Sequence, residues 1–251
     1  MQSSSWIVSC SSGTVSMLDL SASPPSLSQR PIAAEAAMMS PGSQLLALRS
    51  GESLQIFDLA RKAKVSAVSA PDPVVHWSWV GDGTVAVVTA KSVFHWKVEG
   101  SSLEKVFDRH ASLPATMQIT NYEVSADGKW CLLGGIMAGE NGAINGGMQL
   151  YSTEKKVSQP LSGHAAAFAT LDIPGRTDQA QVLVFHQKSP DNPTQKLYIM
   201  EVGRDPSLGT PFKLLPQTIP VPADAAADFP VSITMDKVHS LAFLISKMGY
   251  L

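Results

Sequence analysis

Cysteine is nearly absent from the 251-residue chain: Cys10 and Cys131 are the only two. That excludes a disulfide framework and a thiolate zinc site, and two buried thiols in a reducing compartment are the expectation. An excess of charge of one sign is missing too. Nineteen Lys and Arg stand against 21 Asp and Glu, a formal net charge of −2, so no global field draws the chain to nucleic acid or an anionic membrane. Any basic site has to be local. No apolar run approaches the roughly 18 residues of a membrane-spanning helix, and the opening MQSSSWIVSC has neither a basic region before a long apolar one nor a cleavage pattern. The expectation is a cytoplasmic protein without membrane insertion. Helical periodicity is lacking as well, because no segment longer than about ten residues repeats convincingly at 3.6, which argues against a parallel α/β fold.

Signatures of catalysis are equally scarce. His76, His95, His110, His164, His186 and His239 are scattered singly, with no H-E-x-x-H and no paired ligand spacing, so structural roles are expected and no metal. There is no G-x-S-x-G nucleophile signature. Asp108, Arg109 and His110 are adjacent, and three neighbours in a chain seldom converge on one reaction centre, so they read as pairing locally in a loop. The stretch Gly134 to Gly147, GGIMAGENGAINGG, lacks a following Lys-Ser or Lys-Thr and opens no helix, so it reads as a hairpin loop rather than a phosphate loop. No cofactor and no enzyme activity are expected.

What the chain does have is a repeat of short strands. Trp6 to Cys10 and Val15 to Leu20 read as two strands around Ser11, Ser12 and Gly13, followed by a Ser/Pro linker, SASPPSLSQRP. Leu45, Val85, Cys131, Val182 and Leu241 then open equivalent apolar runs, so the period widens from about 40 to about 60 residues as loops lengthen. Groups of about four strands with turns such as Gly81-Asp82-Gly83 and Ser125-Ala126-Asp127-Gly128 mark an all-β protein, a β-propeller with about five blades. Each blade buries its faces only against neighbours, and the first and last copies look incomplete, so unpaired edges are expected. The prolines at 216, 220, 222 and 230 read as an extended linker between blades.

One stretch stands out for binding. Leu45 to Lys64, LLALRSGESLQIFDLARKAK, reads as a β-hairpin whose turn is Ser50, Gly51 and Glu52. Arg61, Lys62 and Lys64 follow it, beside Gln55 and the ring of Phe57. Cations at a strand edge often serve only to block edge pairing. Beside an apolar run, however, they form a groove for an extended peptide that alternates aliphatic and acidic side chains.

The residues also carry a family resemblance. SLSQRPIAAEAAMMSPGSQLLALRSGESLQIFDLARKAK, VVHWSWV, TVAVVTAKSVFHWKVEG, VFDRHASL, QITNYEVSADGKWCLL, GGMQLYSTEKKVSQPLSGHAAAF, LYIMEVG, DFPVSITM and FLISKMGYL resemble the amino-terminal propeller of clathrin heavy chains, over essentially the whole sequence. The resemblance implies one partial, adaptor-binding propeller domain over residues 1–251, lacking the first strands and last blades of seven. It implies a non-catalytic vesicle-coat component on the cytoplasmic face of coated pits and coated vesicles, supporting endocytosis and intracellular vesicle transport. Its partners would be adaptor proteins, held through linear motifs; clathrin light chain and the heavy-chain trimer would be reached only through regions absent here.

Carried over by position, the clathrin-box groove comprises Arg30, Leu46, Leu48, Arg49, Ser53, Gln55, Phe57, Lys62 and Lys64. In it Leu46, Leu48 and Phe57 receive aliphatic side chains, Gln55 bonds the peptide, and Lys62 and Lys64 meet its acid. Ser53 stands where the family more usually has Thr, and Arg49 where it has Lys. A second peptide groove maps to Trp130, Leu150, Lys155 and Gln159. A third maps to Gln118, Thr120 and Ile136, with Thr120 in an aliphatic position. The competing readings are a generic scaffold propeller that binds through its top face and a propeller enzyme with acids or histidines around a central channel.

Overall fold

The computed structural model of the chain describes residues 5–188, 194–220, 228–236 and 241–251. It is all-β and of the β-propeller class, a succession of antiparallel meanders joined in chain order. Two compact units divide it, Met1–Arg109 and His110–Leu251.

The first unit holds three sheets. Sheet 1 has strands β1 (Trp6–Ser11), β2 (Thr14–Asp19) and β3 (Ser26–Pro31). Sheet 2 has β4 (Ala36–Met39), β5 (Leu45–Ser50), β6 (Ser53–Asp58) and β7 (Ala63–Ser69). Sheet 3 has β8 (Val74–Trp79), β9 (Thr84–Thr89), β10 (Ser92–Lys97) and β11 (Glu104–Asp108). The period of two along a strand decides how they stack. On sheet 2, Leu46 and Leu48 point one way and pack with Met39, Val15 and Met17, the last two from sheet 1. Ala47, Leu54 and Ile56 point the other way and pack with Trp79, Val85, Val87 and Trp96 of sheet 3. Sheet 2 is therefore buried on both faces. Trp96 is wholly buried, and its indole N–H is satisfied by the Gly100 carbonyl at 2.9 Å.

The second unit repeats the plan. Sheet 4 has β12 (Gln118–Val124), β13 (Trp130–Ala138), β14 (Ile144–Ser152) and β15 (Val157–Ser162). Sheet 5 has β16 (Ala165–Asp172), β17 (Gln179–Lys188), β18 (Gln195–Glu201) and β19 (Gln217–Ile219). Sheet 6 has β20 (Pro230–Asp236) and β21 (Leu241–Ser246). Leu132, Met148 and Leu150 of sheet 4 meet Ala166, Leu183 and Phe185 of sheet 5. The opposite face of sheet 5, through Ala167, Val182 and Val184, meets Ile233 of sheet 6. The turn between β12 and β13 uses Asp127, which accepts from Ser125 Oγ and Lys129 N, and Gly128, whose φ of +71° suits a residue without Cβ.

The repeat expected from the sequence is present, with corrections. Among the described residues six sheets are found where about five blades are expected, because the opening strands form a sheet of their own. Its third strand, β3, lies inside the segment read as a Ser/Pro linker; it is an outer strand, nearly all exposed, so it shows no apolar alternation. The Gly-rich stretch is mostly strand. β13 runs on to Ala138 and β14 resumes at Ile144, leaving a short 3-10 turn, Glu140–Gly142, as the loop. Glycine is needed there for close packing, since a Cβ on Gly135 would lie 2.6 Å from the Gln118 carbonyl oxygen. The last strand of the fourth copy is only Gln217–Ile219, and Phe212 and Lys213 pair separately with the end of β18. Part of the proline tract, 221–227, and His239 lie outside the described residues.

Two stability predictions follow from this packing. Trp96→Ala, which empties the centre of the first unit, lowers the unfolding free energy by about 3–5 kcal/mol in chemical denaturation. His186 is wholly buried with neither ring nitrogen hydrogen-bonded, and burial pushes its pKa down to about 4. The folded state thus holds it neutral while the unfolded chain protonates it near 6.5, so its contribution is present above about pH 6.5 and lost as pH falls toward about 4. Thermal melts across that window show this loss in the native chain and a flatter profile in His186→Phe; equal slopes would remove His186 as the cause.

Candidate functional site

The face that sheet 2 turns toward sheet 1 gathers most of the first predicted groove. In register, Leu46 stands opposite Phe57, Leu48 opposite Gln55 and Ser50 opposite Ser53, while Phe57 stands opposite Lys64. Leu46, Leu48, Ser53, Gln55, Phe57 and Lys64 therefore share one face. Leu46 and Leu48 are only 2% and 5% exposed, so they form a sealed floor, and Phe57 is half-buried above it. Across the gap, Arg30 and Ser28 of β3 stand opposite Val15 and Met17 of β2, on the face of sheet 1 that meets sheet 2. The two sheets approach through their inner strands β1 and β4, whereas the outer strands β3 and β7 carry mostly exposed residues. The result is a furrow that is greasy at its base and polar at its rim.

Arg49 is not on that face. It lies between Leu48 and Ser50 and stands opposite Leu54, so the strand period turns it toward sheet 3, where it sits 3.6 Å from Glu35 and 3.4 Å from the Val74 carbonyl oxygen. Ser28 is the residue that sequence reasoning missed, because the strand carrying it was taken for a linker. Only its register opposite Met17 reveals it.

The charges on the furrow are unusual for this unit. Lys91 pairs with Asp72, Lys97 with Glu104, Lys105 with Asp108, Arg61 with Asp58 and Arg49 with Glu35. Arg109 donates to the Thr89 carbonyl. Among the described residues, Arg30, Lys62 and Lys64 have no carboxylate partner, and all three are exposed. Lys62 is held in the left-handed region, φ +53°, by the tight turn between β6 and β7.

The second predicted set has a parallel layout in the other unit. Leu150 stands opposite Gln159 and Leu132, and Trp130 opposite Ser152, which puts Trp130, Leu150 and Gln159 on the face of sheet 4 that packs toward sheet 5. Leu150 is 2% exposed and Trp130 half-buried against Gly203, where any Cβ would lie 2.7 Å from the indole nitrogen. Lys155 is exposed in the turn between β14 and β15. Of the third set, Gln118 faces Ile136 directly, and Thr120 is the extra residue of a bulge between Ile119 and Asn121.

Other chemistry-bearing groups are occupied by the fold. Glu201, nearly buried, is bonded by Arg176 and Arg204, and Asp178 bridges the same two arginines. Hydrogen bonds from Arg176 hold both carboxyls down at about 2. This network clamps the β16–β17 loop to the end of β18. Asp108 accepts from Ser92 Oγ, and the His110 amide donates to Gln149 Oε1. Desolvation lowers His76, to about 4, and also lowers His95 and His164. Cys131 is buried, which pushes its thiol up, and the Cys10 thiol donates to the Ala34 carbonyl at 2.8 Å. Among the described residues, no three His, Cys, Asp or Glu side chains are grouped to hold a metal ion, and no helix is long and apolar enough to cross a membrane.

Comparison with known proteins gives a consistent set of relatives. The chain is 42% identical over 223 residues to probable clathrin heavy chain 1 of Caenorhabditis elegans, covering 88% of this chain and 13% of that protein. It is 41% identical over 238 residues to clathrin heavy chain 2 of Homo sapiens, covering 94% and 14%. It is 38% identical over 228 residues to the probable clathrin heavy chain of Schizosaccharomyces pombe, covering 91% and 13%. The chain thus spans about one seventh of the length of the curated relatives it matches. Among solved structures it is similar to the Myceliophteria thermophila Cps50 (Swd1) β-propeller domain, with 11% identity, a TM-score of 0.45, and coverage of 91% of this chain and 86% of that one. No family model matches.

The ion network of the second unit yields a pH test. Glu201 has its folded pKa depressed, so its contribution is present above the unfolded value near 4.3 and lost as pH falls toward about 2. Glu201→Gln lowers the thermal midpoint at pH 7, and the variant loses less additional stability than the native chain on going from about pH 5 to about pH 2.

Proposed function

Over the segment it shares with these relatives the chain belongs to the clathrin heavy chain family, and from that premise we propose that residues 1–251 are a non-catalytic, adaptor-binding propeller domain of a vesicle coat. Its furrow between sheets 1 and 2 takes an extended adaptor peptide of the form Leu-apolar-x-apolar-acidic. The observation that supports this is the pairing of a sealed Leu46, Leu48 and Met17 floor with half-exposed Phe57 and three cations that no carboxylate of the unit neutralises. Aliphatic peptide side chains lie against Phe57 and the stems of Lys62 and Lys64, Gln55 bonds the peptide backbone, and the lysines meet the acid. Arg30 lines the facing wall. Arg49, bonded on the other face, takes no part.

Burying two or three aliphatic groups at ~1.5–3 kcal/mol each, less the ordering of a flexible peptide, leaves a dissociation constant between tens of micromolar and about a millimolar. Such contacts are useful only in numbers: a coat presents many copies, and tethered motifs gain avidity while each contact exchanges quickly. The face of sheet 4 with Trp130, Leu150 and Gln159, flanked by Lys155, is a second peptide groove by the same logic. The Gln118 and Ile136 pair is a third, reduced one. Location on the cytoplasmic face of coated pits and vesicles follows from the family reading.

Reversing charge at Lys62→Glu and Lys64→Glu weakens a Leu-Ile-x-Leu-Asp peptide by about tenfold or more, while Gln159→Ala leaves it unchanged. Fluorescence anisotropy titration measures both. Equal affinity for the double-lysine variant and the native chain would remove the furrow as the site.

A further inference from the structure

The furrow has more positive charge than one carboxylate can use. Of the nine lysines and arginines from Arg30 to Arg109, five pair with carboxylates of the unit and Arg109 donates to the Thr89 carbonyl. Of the three left over, Arg30 and Lys64 lie on the facing sides of the sheet 1–sheet 2 furrow, and Lys62 lies in the turn that leads into β7. The two acids nearest in the chain do not offset them. Asp58 accepts from the Arg61 amide at 2.9 Å and pairs with its guanidinium, and Glu35 is engaged by Arg49 on the opposite face. Lys62 and Lys64 flank one residue, Ala63, at the start of β7, which puts both cations at one end of the sheet.

We propose that this end is built for a dianion, and that the furrow prefers a peptide whose terminal acid is a phosphoserine or phosphothreonine over one ending in aspartate. A phosphate carries about −1.5 to −2 charge at neutral pH and three strong acceptor oxygens, which lets two ammonium groups bond it at once where a carboxylate offers one charge to be shared. Phosphorylation of the partner then regulates docking without any change in this chain. The inference rests on the peptide-binding reading above. The cations border an apolar floor rather than spreading over a flat face, which favours a peptide over a lipid surface.

The test titrates the 251-residue chain with two labelled peptides, Leu-Ile-Gln-Leu-Asp and Leu-Ile-Gln-Leu-phosphoserine, by fluorescence anisotropy. At about pH 7.5 the phosphopeptide binds about fivefold more tightly. The preference fades toward about pH 5, because the second phosphate pKa is near 6 and the monoanion resembles aspartate. Lys62→Gln with Lys64→Gln abolishes the preference, and Lys97→Gln, which removes a cation already paired with Glu104, keeps it. Binding of the aspartate peptide with no gain from phosphate overturns this inference alone, as does a preference that survives loss of both lysines. Binding of neither peptide overturns the peptide-groove reading as well. Cosedimentation with phosphatidylserine vesicles that needs the same lysines, alongside no phosphopeptide preference, assigns the charge to a membrane and overturns the proposal.

Discussion

The constraint on which everything here depends is that a four-stranded sheet of this kind has two apolar faces and can bury neither by itself. Sheet 2 makes the point most plainly: Leu46 and Leu48 need sheet 1, and Ala47, Leu54 and Ile56 need the tryptophans of sheet 3. A strand with apolar residues at four successive positions, 45 to 48, is intelligible only if both faces are covered. Within each unit the hydrophobic effect thus stacks one sheet on the next, and each sheet stabilises the neighbour it covers.

A furrow is the by-product of that stacking. The second strands of the two sheets are sealed, as the near-zero exposure of Val15 on β2 and Leu46 on β5 attests, while the outer strands β3 and β7 stay largely in water. The base is therefore apolar and dry, and the rim is where charge can be placed cheaply. Arg30 and Lys64 stand on that rim with Lys62 in the adjoining turn, and no ion pair within the unit engages them among the described residues. A site of this kind needs no buried charge and no strained backbone in its floor. The face of sheet 4 with Trp130, Leu150 and Gln159 repeats the apolar part of that layout, with Lys155 exposed in the adjoining turn.

Much of this was legible in the residues themselves, and the failures are instructive. The hairpin from Leu45 to Lys64 announces its strands through alternation and its turn through Ser50, Gly51 and Glu52, and it folds that way. β3 hid because an outer strand with both faces exposed has no apolar period, and its Ser and Pro content mimics a linker. The glycines from 134 to 147 misled in the opposite direction: they permit close backbone approach inside two long strands, which composition alone cannot distinguish from loop freedom. Arg49 fell out of its predicted set for a reason the sequence contains, since it follows Leu48 on a strand and must face the other way.

Composition, the widening repeat and the quoted motifs determined by themselves that the chain is all-β, built of short antiparallel meanders, and related to the heavy chains of clathrin. Those are properties of local pattern, set by side-chain period and turn chemistry. Tertiary structure alone decided which leucines are floor and which cations are free. It set Ser28 and Arg30 on the face of sheet 1 that meets sheet 2, set Phe57 and Lys64 on the face of sheet 2 that meets sheet 1, and joined Arg176, Asp178, Glu201 and Arg204 into one clamp. The physical reason is that burial and ion pairing depend on what a neighbouring sheet brings to each face, and that neighbour lies tens of residues away in the chain.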